Sequence, residues 1–127
     1  MLSKAKAKYV RMSARKVRLV LELVKGKTVE NAGYVLDNVN KRAGRPIKKV
    51  IDSAFANLNF GLKEKMLEKD VYISNIKAEG GPMLTRYRAA TMGRAAVIRH
   101  RTVHIGVELD KVIADNKKQK QKQKSGE

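Results

Sequence analysis

His100 and His104 are the chain's only histidines and stand four residues apart. On a helix that spacing would suit a metal ion. The residues after them alternate apolar and polar, which is a strand pattern. On a strand the two rings share a face but lie about 13 Å apart. There is no cysteine, and no carboxylate falls close enough to complete a ligand set. No metal is expected. Gly26-Lys27-Thr28 looks like the end of a phosphate-binding loop, but that motif also needs a glycine where Leu21 stands. A helix stop at Gly26 and a helix cap at Thr28 explain the same residues. Catalysis needs a nucleophile or a carboxylate pair beside a base. Ser13 and Ser53 fall on helical patterns without a nearby histidine, and the acids are scattered. Neither an enzyme nor a cofactor is expected.

The remaining chemistry is cationic. The 127 residues hold 29 Lys and Arg against 12 Asp and Glu, a net charge of +17. Such a field attracts polyanions. A membrane surface would call for an apolar span or a bulky-anchored amphipathic helix. No uncharged apolar run is long enough, and Trp is absent. Nucleic acid is the better counter-charge.

Position sharpens this. Residues 1–21 carry Lys4, Lys6, Lys8, Arg11, Arg15, Lys16 and Arg18 with no acid. Residues 38–51 carry Lys41, Arg42, Arg45, Lys48 and Lys49, again with none. Residues 80–107 carry Arg86, Arg88, Arg94, Arg99 and Arg101, with neither acid nor Lys. One such run would pass as a solvated face. Three in a small chain would repel one another without a counter-charge. Arginine makes flat, two-pronged contacts to phosphate and stacks on bases, which lysine does not.

The elements that must position these side chains follow from periodicity. Lys4, Lys6 and Lys8 alternate with Ala5, Ala7 and Tyr9, which predicts a strand with one cationic face and a core face ending at Tyr9. Val17, Val20, Leu21 and Val24 predict a helix over 13–25, capped by Ser13 and stopped by Gly26. Val29, Ala32, Leu36 and Val39 predict a short helix over 28–38. Ile47, Val50, Ile51, Ala54 and Leu58 predict a third helix to about Phe60, with Pro46 in its first position and Phe55 in the core. Residues 71–78 read as a strand, and so do Val103, Ile105, Val107 and Leu109 with their polar alternates.

Between those strands, residues 80–101 have little to bury. They read as a long hairpin leaving the domain, with arms of about ten residues reaching about 30 Å. A bare two-stranded ribbon is marginal in water, so a partner must complete it. Tyr87 would stack on a base or serve as a cross-strand aromatic. Residues 111–127 are polar, basic and repetitive, and are expected to be disordered when free.

Several segments in register resemble the family of large-subunit ribosomal protein twenty-two, in its bacterial form. They are Lys8-Tyr9-Val10-Arg11-Met12-Ser13-Ala14-Arg15-Lys16-Val17-Arg18-Leu19-Val20 with Gly26-Lys27, then Lys49-Val50-Ile51-Asp52-Ser53-Ala54 with Ala56-Asn57. Gly81-Pro82 with Arg86, Gly93-Arg94-Ala95 and Arg101-Thr102-Val103-His104-Ile105 complete them. The resemblance covers roughly residues 4–110. The chain departs from the family at Thr85-Arg86, where Lys-Arg is usual, and at Ala89-Ala90-Thr91, where Pro-Arg-Ala is usual. The resemblance implies an α+β fold: three helices on a three-stranded antiparallel sheet, with a protruding hairpin about 78–102 and a single domain spanning 1–110. It also implies a structural, non-enzymatic role in a cytoplasmic or organellar ribosome. The partners would be large-subunit RNA, neighbouring ribosomal proteins and, at the exit tunnel, the nascent polypeptide. The domain would sit near the tunnel mouth and bind early in assembly, touching several RNA domains.

The residues expected to meet RNA are Lys4, Lys6, Lys8, Arg11, Arg15, Lys16, Arg18, Lys25, Lys27, Lys41, Arg42, Lys49, Arg86, Arg88, Arg94, Arg99, Arg101, Thr102 and His104. The tunnel-lining tip would be Arg86, Tyr87, Arg88, Ala89, Ala90, Thr91 and Met92. A DNA-architectural protein is the competing class. Its minor-groove arms favour an apolar wedge, often proline, and no proline follows Pro82. Such proteins usually need a dimer interface, and no surplus apolar helix face offers one. No homo-oligomer, membrane insertion or secretion is expected.

Overall fold

The structure is a computed structural model, and it describes residues 1–112. The elements run β1 (Ser3–Val10), α1 (Ala14–Val24), α2 (Val29–Asn38), α3 (Gly44–Asn59), β2 (Val71–Gly80), β3 (Leu84–Ala89), a single turn at Thr91–Gly93, β4 (Ala95–His100) and β5 (Val103–Lys111). β5 lies between β1 and β2 in an antiparallel sheet, and β3 and β4 form a separate two-stranded ribbon. This is the expected α+β arrangement of three helices on a three-stranded sheet.

The core forms where the periodicities meet. Val103, Ile105, Val107 and Leu109 of β5 are buried, and each residue between them is only partly so. Their inner face lies under the helices. α3 packs on β1 and β5, α1 on β2, and α2 joins α1 to α3. Val17, Val20, Leu21 and Val24 face inward from α1, and Ile47, Val50, Ile51, Ala54 and Leu58 from α3. Each of these side chains except Ala54 contributes about 1.5–3 kcal/mol on burial. Ser3 is buried too, because its hydroxyl donates to the Ala54 carbonyl at 2.7 Å and pins β1 to α3.

Two bulges correct the simple alternation. In β2 the inward positions change phase, from Val71 and Ile73 to Ile76 and Ala78, across a register shift between Ile73 and Asn75. An inserted residue keeps both halves facing the core. In β1 the shift falls between Ala7 and Val10, and Tyr9 takes φ +57°. Tyr9 is therefore not a core residue but 62% exposed. Phe55 is half-buried at the core's edge.

The helix ends differ from expectation in detail. Thr28 caps α2, its hydroxyl accepting from the Asn31 N–H at 3.4 Å. Ser13 holds the N-cap position of α1, but its hydroxyl makes no cap hydrogen bond. α3 starts at Gly44, two residues before Pro46. The first four N–H groups of a helix have no intrahelical partner, so Pro46 costs no bond there. A Cβ on Gly44 would lie 3.3 Å from the Leu36 carbonyl oxygen, so the α2–α3 turn is tight at this point. Lys111, expected to open the tail, instead pairs with Val71 at the end of β5. The remainder of that tail, from 113 onward, lies outside the described residues.

Candidate nucleic-acid interface

β3 follows β2, and β4 precedes β5, across breaks at residues 81–83 and 101–102. The laddered arms are six residues each, shorter than expected, and span about 20 Å. Register fixes which side chains share a face. Arg86 and Arg88 lie opposite Ile98 and Ala96, while Tyr87 lies opposite Val97, and Thr85 opposite Arg99, on the other face. Both faces thus carry arginine and apolar groups together. Every residue from 82 to 99 is exposed. At the apex Met92 and Gly93 have φ of +58° and +68°, and the Ala90 N–H donates to the Arg94 carbonyl. Met92 is 93% exposed.

The root of the ribbon is packed by hydrogen bonds within the chain. Thr102 is buried, and its hydroxyl donates to the Pro82 carbonyl at 2.6 Å. The Gly81 N–H donates to the Thr102 carbonyl. His104 Nδ1 accepts from the Tyr9 N–H at 3.0 Å, and the two rings meet edge to face with centroids 4.9 Å apart. Thr102 and His104 were expected to meet RNA; the Thr102 hydroxyl and His104 Nδ1 are committed within the chain. Gly81 closes this packing: a Cβ there would lie 2.5 Å from Thr102 Oγ1 and 3.1 Å from His104 Cε1. The root was not legible as a unit from the residues alone, since its parts lie in β1, in the links after β2 and before β5, and in β5 itself.

The other cations fall into groups. Lys4, Lys6 and Lys8 project from the sheet face away from the helices. Lys77 joins them through the pairings Lys6 to Gly106 and Gly106 to Lys77. Lys77 was missed by sequence reasoning, although its place in the outward phase of β2 would have found it. Glu79 sits between Lys6 and Lys77, at 3.5 and 3.1 Å. The Lys77 ammonium first, then Lys6, holds its carboxyl below the usual carboxylate range. Arg15, Arg18 and Arg101 converge on a cleft at the ribbon's root. Lys49 lines the groove between β1 and α3. Arg11, Lys16, Lys41 and Arg42 are exposed on the loops and on α1. Lys48 is bound instead to Asp37, whose hydrogen bond raises its pKa. Lys25 and Lys27 stand at the opposite end of the domain, where the Lys27 carbonyl accepts from the Ile73 N–H at the start of β2. Among the described residues, Lys6 alone of the expected contact set has an ion pair.

Among the described residues no group of His, Cys, Asp and Glu could hold a metal, and no helix is long and apolar enough to cross a membrane. Comparison with known proteins points to one family. The profile of the family described as Ribosomal protein L22p/L17e matches residues 5–110. The chain belongs to this family. It is 44% identical over 112 residues to a protein of Syntrophus aciditrophicus named large ribosomal subunit protein uL22, covering 87% of this chain and 98% of that one. The protein of the same name from Thermus thermophilus is 44% identical over 110 residues, covering 86% and 95%. That from Halothermothrix orenii is 42% identical over 107 residues, covering 84% and 93%. The chain is accordingly a structural, non-enzymatic ribosomal protein, working in the cytoplasm within the ribosome.

Proposed function

We propose that the chain is an architectural constituent of the large ribosomal subunit that binds large-subunit RNA and aids early assembly. The observation that carries this reading is the ribbon: exposed Leu84, Tyr87, Val97 and Ile98 stand among arginines on both faces, with no acid from residue 80 to 107. Exposed apolar surface marks a contact site. Here its companions are guanidinium groups suited to phosphates and bases. RNA closing over both faces would complete what the chain leaves open. Lys4, Lys8, Arg11, Arg15, Lys16, Lys41, Arg42 and Lys49 would meet phosphates around the domain, and Lys25 and Lys27 would meet them at its far end. Neutralising those phosphates lets RNA domains pack together.

By likeness to the family, residues 86–92 at the tip would line the nascent-peptide exit tunnel, and neighbouring ribosomal proteins would flank the domain. No homo-oligomer is proposed. A filter-binding series with a large-subunit RNA fragment tests the electrostatic core of this. If about six to ten phosphates are contacted, affinity falls about 10³- to 10⁵-fold between about 50 and 200 mM salt. A flat response, or equal affinity for duplex DNA, would contradict it. A photo-crosslinker at Met92 in ribosomes holding a stalled chain tests the tunnel placement, and should label the nascent polypeptide.

A further inference from the structure

We propose that the cleft at the root of the ribbon is a built seat for one backbone phosphate of the RNA, with Arg18 and Arg101 as its principal donors. The proposal rests on the reading that this chain binds RNA, and goes further by assigning one phosphate to one place.

Three clefts on the described surface can be compared. The groove on the outer sheet face, about 510 Å³, is lined by Lys4, Lys6 and Lys77, but also by Glu108, and Glu79 is already paired to Lys6 and Lys77. The groove between β1 and α3, about 350 Å³, is walled mainly by Ala5, Ala7, Val10, Pro46 and Val50. The root cleft, about 490 Å³, is lined by Arg15, Arg18 and Arg101 and by no carboxylate. An anion entering it meets undiminished positive charge.

One of its guanidinium groups is also held in place, and a second is in weak contact. Arg18 donates from Nε and Nη2 to the Ala78 carbonyl, at 3.1 and 3.0 Å, which fixes the plane of the group. Guanidinium has five N–H donors, so three remain free for the cleft. Arg101 Nη1 reaches Met83 Sδ at 3.6 Å across the root. Most arginines would have to be ordered by their ligand, at the expense of rotamer freedom. Arg18 loses less of it on binding. Arg86 is also bonded, but only to the carbonyl of its neighbour Thr85, on the open ribbon.

A phosphate held by both would join α1, through Arg18, to the segment between β4 and β5, through Arg101. The angle at which the ribbon leaves the domain would then be braced by the RNA itself.

The test uses the full chain labelled for NMR and inorganic phosphate as the probe. The side-chain N–H signals of Arg18 and Arg101 should shift saturably, while those of Arg88 and Arg94 move little. Equal shifts at every arginine, or none at the root, would overturn the seat. With a large-subunit RNA fragment, Arg101→Gln should weaken binding about tenfold or more. Its salt slope should also fall by about one. Arg18→Lys keeps the charge but loses the flat geometry, and should weaken binding in the same sense. A thermal melt checks that Arg18→Lys still folds, and the exposed Arg101 keeps the test open if it does not. Lys65→Gln, on the loop before β2, should bind as the parent does. If both root variants bind as tightly as the parent while the parent stays salt-sensitive, the seat fails and the RNA reading stands. If the parent binds no RNA in a salt-sensitive way, both fail.

Discussion

β2 with β5, and β3 with β4, are two antiparallel pairs built one after the other from the same two stretches of chain. In the first, Val103, Ile105, Val107 and Leu109 are covered by helices. In the second, Val97 and Ile98 are 51% and 37% exposed. The backbone ladder is alike in both. What differs is the layer above: α1 and α3 lie on the sheet, and among the described residues nothing lies on the ribbon. β-structure without a covering layer is marginal. The domain therefore carries its own stability, and the ribbon holds its apolar and cationic groups ready for a partner to cover.

Hydrogen exchange is the strongest way to break that contrast. In the free chain the amides of β5 should open only with global unfolding, while those of β3 and β4 open locally, a difference in protection of about 10³-fold or more. Bound RNA should raise the protection of the ribbon. A ribbon already as protected as β5 in the free chain would remove the distinction.

Mutation gives the next largest effect. Ile105→Ala should destabilise the chain by about 2–5 kcal/mol, read in a denaturant melt. Val97→Ala should change the same melt by less than about 0.5 kcal/mol. At the root, Gly81→Ala should cost about 1–3 kcal/mol, because the new Cβ meets Thr102 and His104 and the packing must shift. An unchanged melt for Gly81→Ala would show that the root is looser than its contacts indicate.

The smallest effect is on the outer sheet face. Glu79→Gln frees Lys6 and Lys77 and should tighten RNA binding about two- to fivefold, within the range of a surface ion pair. The sign of its pH dependence follows from the lowered carboxyl. These ion pairs are fully present above the ordinary carboxylate range and are lost only as pH falls through the lowered value. The parent and Glu79→Gln should therefore differ throughout the neutral range.

Much of this was legible in the residues themselves. Apolar spacing set three helices and the sheet strands close to their observed limits, because each buries one face and the period marks it. The acid-free runs located the cations, and the lack of buriable residues between Gly80 and Arg101 marked the ribbon. Tyr9 was misplaced for a physical reason: strict alternation holds only where the strand has no bulge, and a left-handed residue shifts every later side chain. Pro46 looked like the first residue of α3 because that position is the favoured one, although the rest of the first turn also tolerates proline.

Sequence alone settled the sign of the surface, the class of fold and the absence of a catalytic set, since these depend on residue type and near-neighbour spacing. Tertiary structure alone decided which cations share a cleft and which polar groups are already committed. Arg18 and Arg101 are far apart in the chain, as are Tyr9 and His104. Only the folding of β1 and α1 against the β2–β5 pair brings them together.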